Sequence, residues 1–494
     1  MKKQDGVARY EQVDAAYIEQ RTLRKSAGWK LLWALGVGAV ISGDYFGWNY
    51  GLATGGFWGL AIATVVMAAM YVCMVYSIAE LSAALPYAGG FYTFVRNALG
   101  PTAGFVCGVT DTIEYVITPA VIVVGIGGYI NSLVFGATAD APSWAPYVWW
   151  SLTYAVFVAI NIRGVEVTLK IGLVITSLAA TVLIVFYVLA IATGAFRWEL
   201  LFNIPAEGSN TMTGLPLGWS GVFAALPFAM WFYLAIEQLP LAAEETHDVV
   251  NDMPKALIWG MVTLLVLSLF TLVLNSGVGG GAVAMGSSDA PLADGFLAVL
   301  GSGATTSVLT LIALTGLVAS FHGIIYAYGR VLFSLSRAGY FPRWLSPVNR
   351  WHVPHRALLC GAFVGFGCAV AIHVFGENKH VGAALLNMAV FGAVVSYVLV
   401  MLSFIVLRIR RPDLPRPYRS PLGIPGAIAG TFMSLVALAA CFAVDSYRPG
   451  VVGTGIFLFV CLVYYFAYSR SRLVAQAPEE EVALRGHTVA QPAD

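Results

Sequence analysis

Charge is scarce in this chain of 494 residues. Only 11% of its residues are Asp, Glu, Lys or Arg and 59% are hydrophobic, whereas roughly a quarter of a soluble domain is charged. So little charge excludes a large soluble domain, and the mean hydropathy of +0.78 agrees. Apolar segments of about 20 residues recur along the chain, and each can cross a bilayer as a helix. The composition therefore predicts an all-α integral membrane protein.

Signatures of metal binding and catalysis are also missing. The six cysteines lie in apolar runs, without a CxxC pair or a histidine at ligand spacing, which argues against a metal site or a disulfide framework. The sequence contains no recognisable Ser-His-acid arrangement and no phosphate-binding loop beside a basic cluster. We therefore expect no enzyme, no cofactor and no nucleic-acid partner, and the lipid bilayer is the expected environment.

Twelve apolar segments are predicted to span the membrane and are numbered span 1 to span 12. Their approximate cores are 30–55, 57–84, 104–135, 147–162, 168–194, 219–243, 255–277, 303–336, 357–375, 382–407, 422–444 and 450–469. Of the 27 Lys and Arg residues, only Arg197, Lys379 and Arg448 fall in loops on the outer side if both termini are cytoplasmic. Because basic residues accumulate in cytoplasmic loops, this distribution predicts that orientation and an even number of spans.

The ends of the chain are expected to be cytoplasmic tails. Residues 1–29 mix charges of both signs and lack an apolar centre, so they are not typical of a cleavable signal. Residues 470–494 form the predicted C-terminal tail, and the composition of its last segment, 477–494, predicts disorder.

Span 1 contains an acid where an acid is costly. Asp44, in VISGDYFGWN, is the only charged residue between Leu31 and Ala79. An ionised carboxylate in the bilayer centre costs about 2.5–3.5 kcal/mol even on forgiving scales, so such a residue indicates a functional site. The surrounding glycines predict that the helix is broken here.

Span 6 carries a second irregular stretch, WFYLAIEQLP, from Trp231 to Pro240. Two interrupted apolar segments five spans apart indicate a transporter built from inverted repeats, with its site at the membrane midplane. A fixed anion at the break repels a carboxylate and attracts an ammonium, which also binds over aromatic faces. The candidate substrate-binding residues of spans 1 and 6 are Ser42, Gly43, Asp44, Tyr45, Trp48, Trp231, Phe232 and Tyr233.

Span 3 supplies a second acid. Asp111, Glu114, Tyr115 and Thr118 share one helical face. Glu114 either binds the substrate or a proton, or it pairs with a base such as Lys170 or His322. Glu114 and Tyr115 are added to the candidate substrate-binding residues. Asp111 is expected nearer the surface, in a structural pair.

The candidate coupling or gating residues are Lys170, Glu237 and His322. Lys170 either extends to the inner interface or points inward and titrates, and the sequence leaves both open. Histidine is the side chain most easily titrated near neutral pH. Glu237 is expected at a mouth of the span 6 break.

Three long stretches carry a family resemblance. ELSAALPYAGGFYTFVRNALGPTAGF, FYLAIEQLPLAAEETHDVVNDMPKA and YAYGRVLFSLSRAGYFPRWLSPVNRWHVPHRA resemble signatures of the amino acid–polyamine–organocation superfamily. The resemblance covers 28–470. It implies a LeuT-like fold of 12 transmembrane helices, with a ten-helix core over 30–408 made of inverted repeats at 30–194 and 219–408. Helices 1 and 6 would be broken, helices 11 and 12 would occupy 422–469, and the substrate would lie between spans 1, 3, 6 and 8.

One motif departs from the superfamily pattern. Members that carry amino acids have a run like Ile-Gly-Ser-Gly-Ile-Phe in the first break, whereas this chain places Asp44 at a glycine position. SGDYFGWNYGLATGGF and EYVITPAVIVVGIGGYI are similar to the bacterial ethanolamine permease branch. In related proton-coupled members a lysine early in span 5 replaces a sodium ion, and Lys170 matches that position.

The resemblance therefore implies a permease that imports ethanolamine across the bacterial inner membrane by alternating access, without sodium and with proton coupling or exchange. Choline or another methylated amine is the closest alternative. A polyamine or cationic amino acid permease and a transporter-like sensor are more distant ones. A monomer is the working expectation for its assembly.

Overall fold

The computed structural model describes residues 4–5, 7–135, 142–208, 212, 214–301, 306–375 and 380–489. Lys379 and the last five residues lie outside this set. Eleven of the described helices are long and apolar enough to cross a membrane. They include spans 2 to 12, and span 1 is missing from them because it is divided into shorter pieces. The predicted all-helical membrane fold with a broken first helix is confirmed.

The helices of the first half alternate between long spans and short connections. They are Ala15–Glu19, Trp29–Val40 and Ser42–Tyr45 (span 1), Tyr50–Ala84 (the end of span 1 and span 2), Phe91–Leu99, Pro101–Phe135 (span 3), Ala145–Ile162 (span 4), Val165–Ala192 (span 5) and the 3₁₀ turn Trp198–Phe202.

The helices of the second half also alternate between long spans and short connections. Its helices are Gly218–Ala229, Met230–Phe232 and Ile236–Glu245 (span 6), Val249–Phe270 with the π-turn Thr271–Asn275 (span 7), Gly281–Gly286, Pro291–Leu300, Thr306–Arg337 (span 8), Arg343–Leu345, His355–Val374 (span 9), His380–Arg410 (span 10), Gly423–Ala443 (span 11), Asp445–Tyr447, Arg448–Ala467 (span 12), Ser469–Ser471 and Pro478–Val489.

Span 1 is interrupted over 46–49. Phe46 is fully extended, with φ −163° and ψ 169°, and Gly47 has a φ of +95°, which a residue without a Cβ adopts readily. The Asp44 N–H still donates to the Ile41 carbonyl at 3.1 Å. Asp44 therefore lies in the last helical turn before the break, whereas the sequence placed it within the break.

Span 6 is α-helical to Ala229 and 3₁₀-helical over Met230–Phe232 and Ile236–Glu245, with a break at Ala235. This residue has a φ of +86°, which is uncommon for a residue with a Cβ and costs free energy. Its N–H donates to both carboxylate oxygens of Glu237, at 3.0 and 3.1 Å. The hydrogen bonds hold the strained turn in place within the predicted Trp231–Pro240 stretch.

The two breaks contact each other directly. A Cβ atom at Gly43 would lie 1.8 Å from the Trp231 carbonyl oxygen, so only glycine permits this approach. The rings of Trp48 and Phe232 stack with their centroids 5.4 Å apart. Spans 5, 7 and 8 pack around span 1, and the broken segments therefore lie side by side in the interior.

Both termini meet at one end of the bundle, which we name the terminal end. The strand Ala8–Glu11 pairs antiparallel with Gln4–Asp5 and parallel with Leu473–Val474. The helix Pro478–Val489 follows, and Glu479 and Glu480 within it are fully buried.

The prediction of a disordered C-terminal tail is therefore wrong for 478–489. The carboxylate of Glu480 accepts hydrogen bonds from Tyr10 at 2.8 Å, Tyr92 at 2.7 Å and Arg96 at 2.5 Å. These partners are hundreds of residues away in sequence, so local composition could not reveal them.

Candidate functional site

A small cavity lies between spans 1, 3, 6 and 8. Its volume is about 10 Å³, close to the minimum that holds one water molecule. Its lining residues are all buried: Ala39, Val40, Ser42, Gly43, Glu114, Tyr115, Thr118, Trp231, Leu234, Ala235 and Ile324. The chain is thus in a closed conformation whose central space must widen to admit an organic solute.

Half of the predicted substrate-binding residues line this cavity. Those that do are Ser42, Gly43, Glu114, Tyr115 and Trp231. The others lie around the breaks but outside the lining: Asp44, Tyr45, Trp48, Phe232 and Tyr233.

Asp44 faces spans 5 and 7. Its side chain is completely buried, and neither carboxylate oxygen has a hydrogen-bond partner of good geometry. The Thr271 hydroxyl of span 7 lies beside it and is itself 2.6 Å from the Tyr187 hydroxyl of span 5. Among the described residues, no Lys, Arg or His side chain pairs with Asp44. An unpaired carboxylate of this kind is able to hold a cation or a proton.

Two tyrosines, Tyr45 and Tyr233, interact electrostatically with Asp44. The Tyr45 hydroxyl donates to the Ala179 carbonyl of span 5 at 2.8 Å. The Tyr233 hydroxyl is 2.9 Å from the Ser268 hydroxyl of span 7. Both tyrosine hydroxyls near Asp44 are therefore already engaged by other groups.

Glu114 is the second unpaired acid. It is 2% exposed, lines the cavity, and neither of its oxygens receives a hydrogen bond. Its carboxyl group lies within hydrogen-bonding reach of the carboxyl group of Glu237. It contacts neither of the bases proposed from the sequence, so the interpretation as an ion pair with Lys170 or His322 does not fit this structure.

Glu237 is buried at the break, whereas the sequence placed it at a mouth. It is 2% exposed, and the Tyr397 hydroxyl of span 10 donates to its Oε1 at 2.5 Å. Sequence reasoning missed Tyr397 and Thr271. Each lies in an apolar span, and no local spacing connects it to the breaks.

Asp111 accepts a hydrogen bond from the Ser396 hydroxyl of span 10 at 2.6 Å. It is buried, at 2% exposure, and not near the surface as expected. Its partner is a hydroxyl, so Asp111 contributes to packing between spans 3 and 10.

Lys170 lies on the outside of the bundle. Its side chain is 65% exposed and its Nζ is 2.7 Å from Glu166 Oε1, one turn earlier. The inward-pointing alternative is therefore wrong for this structure. The i,i+4 spacing of an acid and a base was the available sequence signal, since such pairs are typical of exposed helix faces.

His322 lies at a second cavity of about 10 Å³ between spans 1, 5 and 8. Its Nε2 is 2.8 Å from the Thr168 carbonyl oxygen, and its Nδ1 has no partner. The ring is fully within the bundle. His322 therefore has the interior position that one of the two alternatives predicted for Lys170.

An ionic network closes the terminal end. Arg330 of span 8 pairs with Glu245 of span 6 at 2.9 Å. Arg337 binds both Glu244, at 3.0 Å through Nη1, and Glu479, at 2.5 Å. Burial raises the pKa of Glu479 to about 7, because desolvation outweighs the attraction of the Arg337 guanidinium. Glu244 and Glu245 thus join spans 6 and 8 and the C-terminal helix.

Comparison with known proteins identifies the family. The family model "Amino acid permease" matches residues 28–468. An uncharacterized transporter of Rhizobium meliloti is 30% identical over 66% of this chain and 69% of its own length. The branched-chain amino acid permease of Bacillus subtilis is 27% identical over 92% of this chain and 95% of its own. The methylthioribose transporter of the same organism is 23% identical over 92% and 96%. The chain therefore belongs to the amino acid permease family, within the amino acid–polyamine–organocation superfamily.

Proposed function

We propose that this permease imports ethanolamine by alternating access, and that Asp44 binds the substrate ammonium. The observation that carries the proposal is a completely buried carboxylate next to the break in span 1, without a hydrogen-bond partner of good geometry or a basic neighbour in the described chain. Removing a charge from water is costly unless it is paired. An ammonium ligand supplies the missing charge.

The surroundings of Asp44 suit an ammonium group. Tyr45 and Tyr233 lie near the acid, and ammonium groups gain about 0.5–2 kcal/mol over an aromatic face. Ethanolamine also has a hydroxyl, which Ser42 or Glu114 at the cavity is placed to bind. Because Asp44 lies outside the cavity lining, the proposal requires the span 1 break to move as the cavity widens.

A substrate carboxylate has few free donors here. Bare N–H groups at a helix break are the usual partners of such an anion. In this chain the Ser42 N–H donates to Ser320 Oγ at 3.1 Å and the Gly47 N–H to Asn49 Oδ1 at 3.0 Å. The Asp44 N–H is also occupied, by the Ile41 carbonyl. These bonds favour a substrate without a carboxylate.

A branched-chain or other neutral amino acid is the second candidate. It is favoured by the Bacillus subtilis relative that carries branched-chain amino acids and aligns with 92% of this chain. A second relative is named for methylthioribose, which is not an amino acid. The names of the relatives therefore leave the substrate class open, and the charge at position 44 favours the amine.

Proton coupling is proposed here from the position of His322 and not from Lys170. The sequence argument for sodium independence used Lys170, and that side chain is exposed. His322 instead places a titratable ring between spans 1, 5 and 8. The proposed setting is the bacterial inner membrane with both termini cytoplasmic, supported by the meeting of the termini at one end and by the basic residues there.

A ligand-induced stability assay tests the substrate. Thermal unfolding of the purified permease is measured with ethanolamine, choline, putrescine, arginine, leucine and asparagine. A ligand that binds only the folded state increases the free energy of unfolding by about 2.7 kcal/mol at a concentration of a hundred times its Kd. We therefore expect ethanolamine to raise the Tm and leucine to leave it unchanged. Stabilisation by an amino acid and not by ethanolamine would overturn the proposal. Stabilisation by choline alone would show that the substrate is a methylated amine and not ethanolamine.

A further inference from the structure

We propose that Glu114 and Glu237 form a single proton-binding pair, in which Glu114 carries a proton and donates it to the Glu237 carboxylate. The pair joins span 3 to span 6 beside the cavity. The inference rests on the proposed function in one respect, since it names the proton site of a proton-coupled permease.

The contact itself requires a proton. The two buried carboxyl groups lie within hydrogen-bonding reach. Two ionised carboxylates are both acceptors and repel each other, whereas a protonated one donates to the other. Because neither oxygen of Glu114 has another hydrogen-bond partner, a shared proton is the one arrangement that gives this side chain a bond.

The surrounding donors identify which acid is ionised. Glu237 receives the Ala235 N–H at both oxygens, at 3.0 and 3.1 Å, and the Tyr397 hydroxyl at 2.5 Å. Donors of this kind stabilise a carboxylate. Glu114 receives none. The proton therefore belongs to Glu114, and the negative charge to Glu237.

No cation neutralises the pair in the described part of the chain. The titratable groups that face it are acidic or phenolic, with one thiol: Asp111, Tyr115 and Cys107 of span 3, Tyr71 of span 2 and Tyr397 of span 10. Asp111 already accepts from Ser396. Full ionisation would leave several negative charges together in the interior, and one retained proton relieves this repulsion.

The position of the pair links the proton to opening of the cavity. Glu114 lines the cavity, which is too small for an amine. Widening it between spans 3 and 6 separates the carboxyl groups. The Glu114 O–H then loses its acceptor, and its proton passes to the water that enters, leaving a carboxylate.

Infrared difference spectroscopy on the full-length permease, without any substrate, tests the pair. We expect the wild type at neutral pH to show one carboxylic-acid C=O band that is lost in Glu114→Gln and retained in Asp111→Asn, whereas any band of another buried acid such as Asp44 is retained in both variants. Asp111→Asn is the matched control because its amide oxygen can still accept from Ser396. Absence of the band from the wild type, or its persistence in Glu114→Gln, would overturn the proposal.

A second variant keeps the test informative if Glu114→Gln does not fold. Tyr397→Phe removes a donor from Glu237, so Glu237 becomes a stronger acceptor for the Glu114 proton and the band shifts to lower frequency. An unshifted band in Tyr397→Phe contradicts the pair. Since no substrate is present, a failure to bind ethanolamine leaves these spectra unchanged, and the two proposals fail separately.

Discussion

Asp44 and Glu114 lie on different sides of the same break and have different neighbours. Asp44 has tyrosine rings and a threonine hydroxyl around it, and no second carboxyl group in contact. Glu114 has Glu237 against it. The first arrangement suits an external cation and the second suits a shared proton, so one site can hold both.

Replacing Asp44 by Asn removes the charge and preserves the shape. A hydrogen bond to a charged group contributes about 1.5–3 kcal/mol, so we expect ethanolamine to bind roughly ten- to a hundred-fold more weakly. Isothermal titration calorimetry on the purified variant measures the change. Asp111→Asn should bind as the wild type does, and an unchanged Kd in Asp44→Asn would remove Asp44 from the site.

Gly43 is the closest contact between the two breaks. Gly43→Ala would place a Cβ atom 1.8 Å from a backbone carbonyl oxygen, and overpacking of this kind costs about 1–3 kcal/mol or more. We expect a Tm several degrees below that of the wild type. Gly128→Ala is the matched control, since nothing lies within 4 Å of its Cβ position. Equal Tm values for the two variants would contradict the described approach of the breaks.

Single functional residues were predictable where the residue type is unusual for its local sequence. Asp44 and Glu114 were found because an acid in an apolar span is unusual. Of the two alternatives left open for Lys170, the structure shows the exposed one, which its acidic neighbour four residues earlier indicated. Tyr397 and Thr271 were not found, because their roles depend on packing between distant spans.

The broken helices were predictable as elements from glycine and proline. Span 1 breaks at 46–49, a few residues after Asp44, because the Asp44 N–H keeps its helical bond. Span 6 breaks at Ala235, a residue without any propensity for positive φ, and Glu237 holds it by accepting its N–H. Exact break points therefore depend on individual short-range hydrogen bonds that composition does not encode.

The C-terminal helix Pro478–Val489 is an element whose docking should depend on pH. The pKa of Glu479 is raised by burial from 4.5 to about 7. The docked helix thus binds a proton more tightly than the undocked one. The contribution of this proton to the stability of docking is complete below about pH 4 and is lost as the pH rises through 7. Hydrogen exchange of 478–484 should be faster at pH 8 than at pH 5.5, after correction for intrinsic rates.

Glu479→Gln is the control for this effect, because its amide does not titrate. The corrected exchange rates of the variant should be the same at both pH values. Slower corrected exchange of the wild type at pH 8 would contradict the sign of the expected dependence.

At the scale of the whole molecule, the chain is closed around its centre. The cavity at the breaks holds no more than about one water, and Arg330 and Arg337 join spans 6 and 8 at the terminal end. Transport requires these contacts to part. The number and order of spans were predictable from hydropathy, whereas the ordered termini that pack on this end were not.

Uptake into proteoliposomes tests the central claim most directly. Labelled ethanolamine is supplied outside vesicles that contain wild type, Asp44→Asn or Asp111→Asn, under an inward proton gradient and, separately, an inward sodium gradient. We predict accumulation by the wild type and Asp111→Asn with the proton gradient alone, loss of accumulation in Asp44→Asn, and competition by unlabelled ethanolamine but not by leucine. Accumulation of leucine in place of ethanolamine, or wild-type uptake by Asp44→Asn, would contradict the account.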